Sequence, residues 1–213
     1  MKLEIYSDKT ETSRVAAQQA ASLLNKTIEE KGKATAVIAT GMSQLDFLSF
    51  LIEKNSVDWS KVELFHLDEY VGLTADHPAS LRHFLKEHFL DRVSPGEVHL
   101  VKGESDDPEA ECDRLNELIG PKTIDVSLVG IGENGHLAFN DPPADFETEE
   151  PFIVVDLDRK CREQQVGEGW FDTVEDVPER AISMSINQIM KSRGIVCTVP
   201  AKRKARAVKD CFE

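Results

Sequence analysis

The chain has 213 residues, enough for one hydrophobic core, and we predict a single domain over residues 1–213. Its 39 acidic and 25 basic side chains give a formal charge of -14, which disfavours nucleic acids and anionic membranes as partners because both need clustered cations. No apolar run approaches the ~18 residues of a spanning helix and no signal peptide is recognisable, so a soluble chain is expected. The four cysteines form no Cys-x-x-Cys pair, which favours a reducing cytoplasm.

Short apolar runs alternate with amphipathic stretches along the chain, a pattern typical of βαβ units. Strands are predicted at Leu3–Ser7, Ala34–Ala39, Val62–Phe65, Glu97–Val101, Asp125–Ile131, Phe152–Leu157, Ala181–Ser185 and Ile195–Val199. Helices are predicted between them, with buried stripes formed by Val15, Ala16, Gln19, Ala20, Leu23 and Leu24, and by Leu81, Phe84, Leu85, His88 and Phe89. This pattern predicts an α/β fold with a Rossmann-like, mainly parallel sheet flanked by helices on both faces.

Two apolar runs lead directly into polar turns. The run VSLVGI leads into a glycine-rich turn that carries His136 and Asp141, and the run VELFHL leads into Asp68 and Glu69. In an open parallel sheet, ligands bind in the crevice beyond the carboxyl ends of the strands. The two segments therefore predict one site at that edge.

These motifs resemble the glucosamine-6-phosphate deaminase/isomerase family, which shares its fold with the 6-phosphogluconolactonases. The resemblance is carried by the loop ATGMS at residues 39–43, the segment LDEY at 67–70, the turn GENGHLAFND at 132–141 and the basic segment AKRKARAV at 201–208. It covers most of the chain and implies conversion of glucosamine 6-phosphate and water to fructose 6-phosphate and ammonia without a cofactor or metal. A small sugar phosphate is then the expected ligand.

The resemblance implies that Asp68 moves a proton between C2 and C1 of the sugar, whereas the residue pattern alone also fits a turn or helix-capping aspartate. It implies that His136, oriented by Asp141, opens the pyranose ring; a structural histidine is the alternative. Glu69 either orients its neighbour or is a solvated acid. The remaining histidines are expected to lie on the surface or to serve packing, with His66 able to join a network near Asp68: His66, His77, His83, His88 and His99.

Two positions depart from the pattern of many deaminases. Asn134 stands where they carry Asp, and Asp141 stands where they carry Glu. Asn134 cannot ionise, so a mechanism that needs a carboxylate there is put in question. The side chain of Asp141 is one methylene shorter, which shifts the orienting hydrogen bond by about an ångström and matters for positioned catalysis.

A phosphate site is predicted from the loop that carries Thr40, Gly41 and Ser43, because backbone N–H groups at the start of the following helix can bind an anion. The alternative is an ordinary capped helix. The resemblance adds Lys204, although its basic run also fits a solvated face. A phosphate-binding arginine expected in the segment from Arg162 to Trp170 has no clear equivalent.

Four other functions fit part of the sequence. The stretch GIGENG at residues 130–135 matches a dinucleotide fingerprint, but the residues NDPPAD that follow break the helix it requires. A 6-phosphogluconolactonase shares the fold, and a sugar-phosphate-sensing domain would need a DNA-binding module for which the chain has no room. A zinc hydrolase using His66, Asp68 and His136 lacks supporting ligand spacing. The sequence leaves open a homo-oligomer and a missing C-terminal segment.

Overall fold

A computed structural model describes residues 2–53 and 57–211. The helices are α1 (Lys9–Lys31), α2 (Leu45–Ile52), α3 (Leu81–Leu85), α4 (Pro108–Ile119), α5 (Arg159–Gly167), α6 (Ile186–Met190) and α7 (Ala205–Asp210). The strands are β1 (Ala34–Ile38), β2 (Val62–His66), β3 (Asp68–Tyr70), β4 (Glu97–His99), β5 (Val126–Val129), β6 (Phe152–Asp156), β7 (Arg180–Met184) and β8 (Gly194–Cys197). In the described ranges, no helix combines the length and apolar character that crossing a bilayer requires.

The main sheet is parallel and has the strand order β4-β2-β1-β5-β8. Its apolar side chains are buried on both faces, as expected for parallel strands covered on each side. One face packs against α1 and α2 through residues such as Ile38 and Leu64. The opposite face, with Val37 and Phe65, packs against α4 and the strands that follow. The predicted α/β class and parallel sheet are therefore confirmed.

A second, antiparallel sheet has the order β3-β7-β6 and was not predicted. It is joined to the main sheet at Leu67, whose N–H donates to the carbonyl of Ile38 and whose carbonyl accepts from the N–H of Met184. This junction fixes the direction in which the chain leaves β2. The first residue after it, Asp68, is thereby held between the two sheets.

Two details of the N-terminal region were predicted wrongly. Residues 3–7 form no strand, and Leu3 and Ile5 are exposed because no neighbouring strand pairs with this segment. The buried side of α1 carries Ser13, Ala17, Ala20, Ala21 and Leu24, whereas Gln19 and Leu23 are exposed. The small alanine side chains let α1 lie close to the sheet, so the side of the helix that carries them is the buried one.

The buried stripe predicted around α3 is confirmed, with Phe84 and Phe89 buried.

Candidate active site

One pocket lies beyond the carboxyl ends of β1, β2 and β5. Six of the predicted site residues line it: Thr40, Gly41, Ser43, Asp68, His136 and Lys204. Asn134 and Asp141 do not line the pocket themselves. They lie behind His136, where Asp141 is hydrogen-bonded to both His136 and Asn134. The fold therefore brings together side chains from four segments that are distant in sequence. Topology accounts for this convergence because parallel strands end at one edge of their sheet.

Asp68 is a buried carboxyl group in this pocket. It pairs with Ser183 across the antiparallel sheet, and only 7% of its surface is exposed. Burial, with a smaller contribution from the neighbouring charge of Glu69, raises the pKa of Asp68 to about 8. Such a group can accept and return a proton near neutral pH, which a solvated turn aspartate does less well.

Glu69 faces away from the pocket and organises the start of α3. Its carboxylate accepts hydrogen bonds from the Ser80 hydroxyl at 2.6 Å, and from the backbone N–H groups of Arg82 at 2.9 Å and Leu81 at 3.1 Å. The interpretation of Glu69 as a solvated acid is therefore wrong, since the residue is fully buried. Consecutive strand residues point to opposite faces, which is why adjacent acids have different surroundings.

His136, Asp141 and Asn134 form a hydrogen-bonded group. Nδ1 of His136 lies 3.1 Å from Oδ1 of Asp141, and Nδ2 of Asn134 donates to the same oxygen at 2.8 Å. Burial raises the pKa of Asp141, but the hydrogen bonds from His136 and Asn134 outweigh it and hold the pKa below its ordinary value. An ionised carboxylate only accepts, so Nδ1 donates and Nε2 is left for other partners.

The amide of Asn134 completes this group by bonding in two directions. Its Oδ1 accepts from the backbone N–H of His136 at 3.1 Å while its Nδ2 donates to Asp141. A carboxylate at residue 134 could not donate and would repel Asp141. Asn134 therefore supports an orienting arrangement in which Asp141 carries the single negative charge. This arrangement does not need a second carboxylate at residue 134.

The glycine-rich turn places the imidazole. The N–H of Gly132 donates to the carbonyl of His136 at 2.9 Å, and Gly135 has a φ of 91°, a left-handed conformation that glycine adopts without strain. Residues 130–145 contain no helix. The dinucleotide interpretation is thereby excluded, because that fingerprint requires a helix to begin at its third glycine.

The predicted phosphate loop follows β1. Gly41 has a φ of 97°, and a short 3₁₀ turn, Met42–Gln44, precedes α2, which begins at Leu45. Within the described chain, the buried hydroxyl oxygen of Thr40 has no hydrogen-bond partner. An unsatisfied buried donor at the wall of a pocket is a group that a ligand can satisfy.

Lys204 is the one buried basic residue of the segment 201–208. Only 5% of its surface is exposed, whereas Lys202, Arg203 and Lys209 lie in solvent. Burial is the main reason why its pKa is lowered, opposed by the charge of Glu168. The solvated-face interpretation is therefore wrong for Lys204 and right for its neighbours.

Several pocket residues were not predicted. Gln44 comes from the phosphate loop, and Gln164, Gln165, Glu168 and Trp170 are brought in by α5 and the residues that follow it. Their local sequence carries no catalytic signature, so only the packing of α5 over the pocket reveals them. Trp170 contacts the ring of Phe84 and also lines the pocket.

His66 is buried without hydrogen-bond partners among the described residues. Burial, and to a smaller extent the charge of Arg82, lowers its pKa to about 3, so the ring is neutral. It is a packing residue, as expected, and its ring nitrogens do not extend a hydrogen-bond network to Asp68 in the described structure.

Two groups in the described ranges place metal-binding atoms within 4.8 Å of one another: His136, Asp141 and Cys161, and Glu63, Glu97 and His99. Neither is the set His66, Asp68 and His136 considered for a zinc hydrolase. In the first group, Asp141 is already bonded to the histidine and to Asn134. In the second, Lys122 supplies a cation 2.7 Å from Glu63. Both groups are satisfied by hydrogen bonds and ion pairs.

Known proteins share the overall sequence and the fold of this chain. The sequence model described as glucosamine-6-phosphate isomerases/6-phosphogluconolactonase matches residues 7–213. A glucosamine-6-phosphate deaminase from an Exiguobacterium species is 35% identical over 202 residues, covering 95% of this chain and 78% of the relative. The solved structure of a monomeric glucosamine-6-phosphate deaminase has a TM-score of 0.89 at 30% identity, covering 100% of this chain and 87% of the other. A 6-phosphogluconolactonase from Shewanella baltica, at 24% identity, TM-score 0.79 and coverage of 98% and 84%, shares the fold.

Proposed function

Because the chain belongs to the family of glucosamine-6-phosphate isomerases and 6-phosphogluconolactonases, we propose that it converts glucosamine 6-phosphate and water to fructose 6-phosphate and ammonia. The observation that carries the proposal is the buried carboxyl of Asp68, with a pKa raised to about 8, in the same pocket as His136 and Lys204. Moving a proton between two carbons requires such a base. Relatives and a solved structure that are named deaminases support the same reaction.

His136 opens the pyranose ring in this proposal. Nδ1 of His136 donates a hydrogen bond to Asp141, so Nε2 can take the proton of the anomeric hydroxyl and return it to the ring oxygen. The product is the open-chain aldehyde, with the amine still on C2. The roles of His136 and Asp141 resemble the orienting pair of other acid–base sites, in which a carboxylate holds the imidazole tautomer.

Asp68 then removes the proton from C2, giving an enolamine, and delivers it to C1. A second proton passes from the amine nitrogen to O1 by way of solvent, so that the transfer leaves an imine at C2 and a hydroxymethyl group at C1. Water adds to the imine carbon, and ammonia leaves as fructose 6-phosphate forms. Each step moves protons or water, chemistry that side chains supply, so the proposal requires no cofactor.

Thr40, Gly41, Ser43 and Lys204 hold the phosphate in this proposal. The free hydroxyl of Thr40 and the buried ammonium of Lys204 support the assignment. The free thiols of Cys112 and Cys161 support a reducing compartment such as the cytoplasm. A small sugar phosphate is the ligand that the pocket is proposed to take.

Reaction in D₂O separates this proposal from lactone hydrolysis. A deaminase should release ammonia from glucosamine 6-phosphate and place deuterium at C1 of the ketose, to the extent that the Asp68 carboxyl exchanges before it delivers the proton. A lactonase cleaves an ester and moves no carbon-bound proton. Rapid hydrolysis of 6-phosphogluconolactone, with no ammonia from any amino-sugar phosphate and no deuterium at carbon, would refute the proposal.

A further inference from the structure

The side-chain amide of Gln44 ties the predicted phosphate loop to another strand end. Gln44 lies in the 3₁₀ turn directly after Ser43, and only 2% of its surface is exposed. Its Nε2 donates to the backbone carbonyl of Thr198 at 3.1 Å and to Oγ of Ser43 at 3.4 Å. The amide therefore joins the loop that follows β1 to the residue that follows β8.

A glycine after β5 makes room for this amide. In the main sheet β5 lies between β1 and β8, and Gly130 is the first residue after it. A Cβ at residue 130 would lie 2.6 Å from Nε2 of Gln44, far inside contact distance. Gly130 is not in a left-handed conformation, so the closeness of the amide, and not backbone strain, accounts for a glycine at this position.

The two segments that Gln44 joins carry the two halves of the proposed phosphate site. Thr40, Gly41 and Ser43 lie on the loop after β1, whereas Lys204 lies in the segment after β8. All of these residues line one pocket. Contacts that are held in place before a ligand arrives bind it more tightly, because less ordering is required on binding. A fixed spacing between the two halves therefore favours binding of one phosphate group by both.

The amide of Gln44 is suited to fix this spacing and not to bind the phosphate itself. A glutamine amide has two N–H donors, and both acceptors of Nε2 described above belong to the protein. The remaining polar atom, Oε1, only accepts hydrogen bonds and is therefore no partner for an anion. Loss of the amide would leave the carbonyl of Thr198, a residue with 2% exposure, without this donor.

We propose that Gln44 is a positioning residue that holds the loop of Thr40 and Ser43 at a fixed distance from the segment of Lys204 before the sugar phosphate binds. The inference rests on the proposed function in one respect, that these two segments receive the phosphate. Gln44 acts on the ligand through them. Its removal should therefore weaken binding of a phosphorylated ligand and leave the acid–base groups in place.

Calorimetric binding of glucitol 6-phosphate to the intact chain tests this role without turnover, because this open-chain phosphate has neither an amine nor a carbonyl group. Gln44→Ala should weaken its binding by about tenfold. With glucosamine 6-phosphate, the same variant should have a raised KM, while kcat changes by less than about threefold. Gln188→Ala is the matched control, since Gln188 is also a buried glutamine but does not line the pocket. It should leave the Kd of glucitol 6-phosphate unchanged, whatever its effect on Tm.

Gly130→Ala tests the same contact from the other side, because it keeps the amide but displaces it. It should weaken binding of glucitol 6-phosphate about as much as Gln44→Ala does. In the double variant the new Cβ meets no amide, so Gly130→Ala should add less than about a threefold loss to that of Gln44→Ala. Gly130 itself lines the pocket. If its Cβ blocks the ligand directly, the two losses will multiply in the double variant, and the proposal is overturned.

Wild-type affinity in Gln44→Ala, an equal loss in Gln188→Ala, or no binding of glucitol 6-phosphate to the wild type would also overturn the proposal. If Gly130→Ala does not fold, the comparison of Gln44→Ala with Gln188→Ala decides alone. Failure of the deaminase reaction is a separate result: glucitol 6-phosphate would bind to the variants with the expected pattern while no amino-sugar phosphate released ammonia.

Discussion

The imidazole of His136 occupies the space that a side chain on Gly132 would need. A Cβ at residue 132 would lie 2.2 Å from Nε2 of His136, far inside contact distance. Gly132→Ala should therefore displace the ring and lower kcat by about 10²-fold, because a shift of about an ångström in a positioned acid–base group can cost that much. Steady-state kinetics on glucosamine 6-phosphate measure the effect.

Gly167→Ala is the control for this substitution, since a Cβ at residue 167 meets nothing within 4 Å. It should leave kcat close to the wild-type value. A Gly132→Ala enzyme that folds and keeps wild-type kcat would show that the position of His136 does not limit the reaction.

Asn134→Asp should weaken the enzyme through charge repulsion. The new carboxylate would lie about where Nδ2 now sits, 2.8 Å from Oδ1 of Asp141, and two close carboxylates do not both ionise readily. We expect kcat to fall by about 10-fold or more at pH 8, with partial recovery at lower pH as the pair takes up a shared proton. A pH–rate profile measures both effects.

Asn134→Ala provides the comparison without a charge. It removes the donor to Asp141 but adds no negative group. Its kcat should therefore fall less at pH 8 than that of Asn134→Asp, and should not recover in the same way at lower pH. Identical profiles for the two variants would mean that charge at residue 134 is unimportant.

Lys204→Met should raise KM for the sugar phosphate by about 10-fold or more and change kcat little, because it removes a contact present in both the ground state and the transition state. Methionine keeps the buried apolar stem. Lys202→Met, at an exposed position of the same run, should have little effect. Unphosphorylated glucosamine should be a very poor substrate for all three proteins. Equal KM values for sugar and sugar phosphate in the wild type would remove the phosphate site from the proposal.

Local sequence was sufficient to predict the strand-end residues but not those supplied by packing. Asp68 and His136 follow apolar runs, and parallel topology alone brings such residues to one edge. The resemblance associates the segment from Arg162 to Trp170 with the phosphate, but the polar residues around Glu168 do not indicate that this acid lines the pocket. The separation of Asp68 from Glu69 depended on β3, a three-residue strand of the antiparallel sheet that has no periodic signal of its own.

Asp68 should reduce the stability of the folded chain as the pH rises. Its pKa is about 8 in the folded state and about 3.9 in an unfolded chain, so between these values the unfolded state loses the proton first. The contribution of Asp68 to the free energy of unfolding therefore falls progressively from pH 4 to pH 8, by on the order of a few kcal/mol at pH 8. Asn cannot ionise, so Asp68→Asn should have a higher Tm than the wild type, with a difference that grows over this range to several degrees. Thermal unfolding at pH 5 and pH 8, with the exposed Asp172→Asn as control, measures the difference. A Tm difference for Asp68→Asn that stays constant or shrinks between these pH values would contradict the raised pKa, and with it the claim that burial prepares this carboxyl as the base.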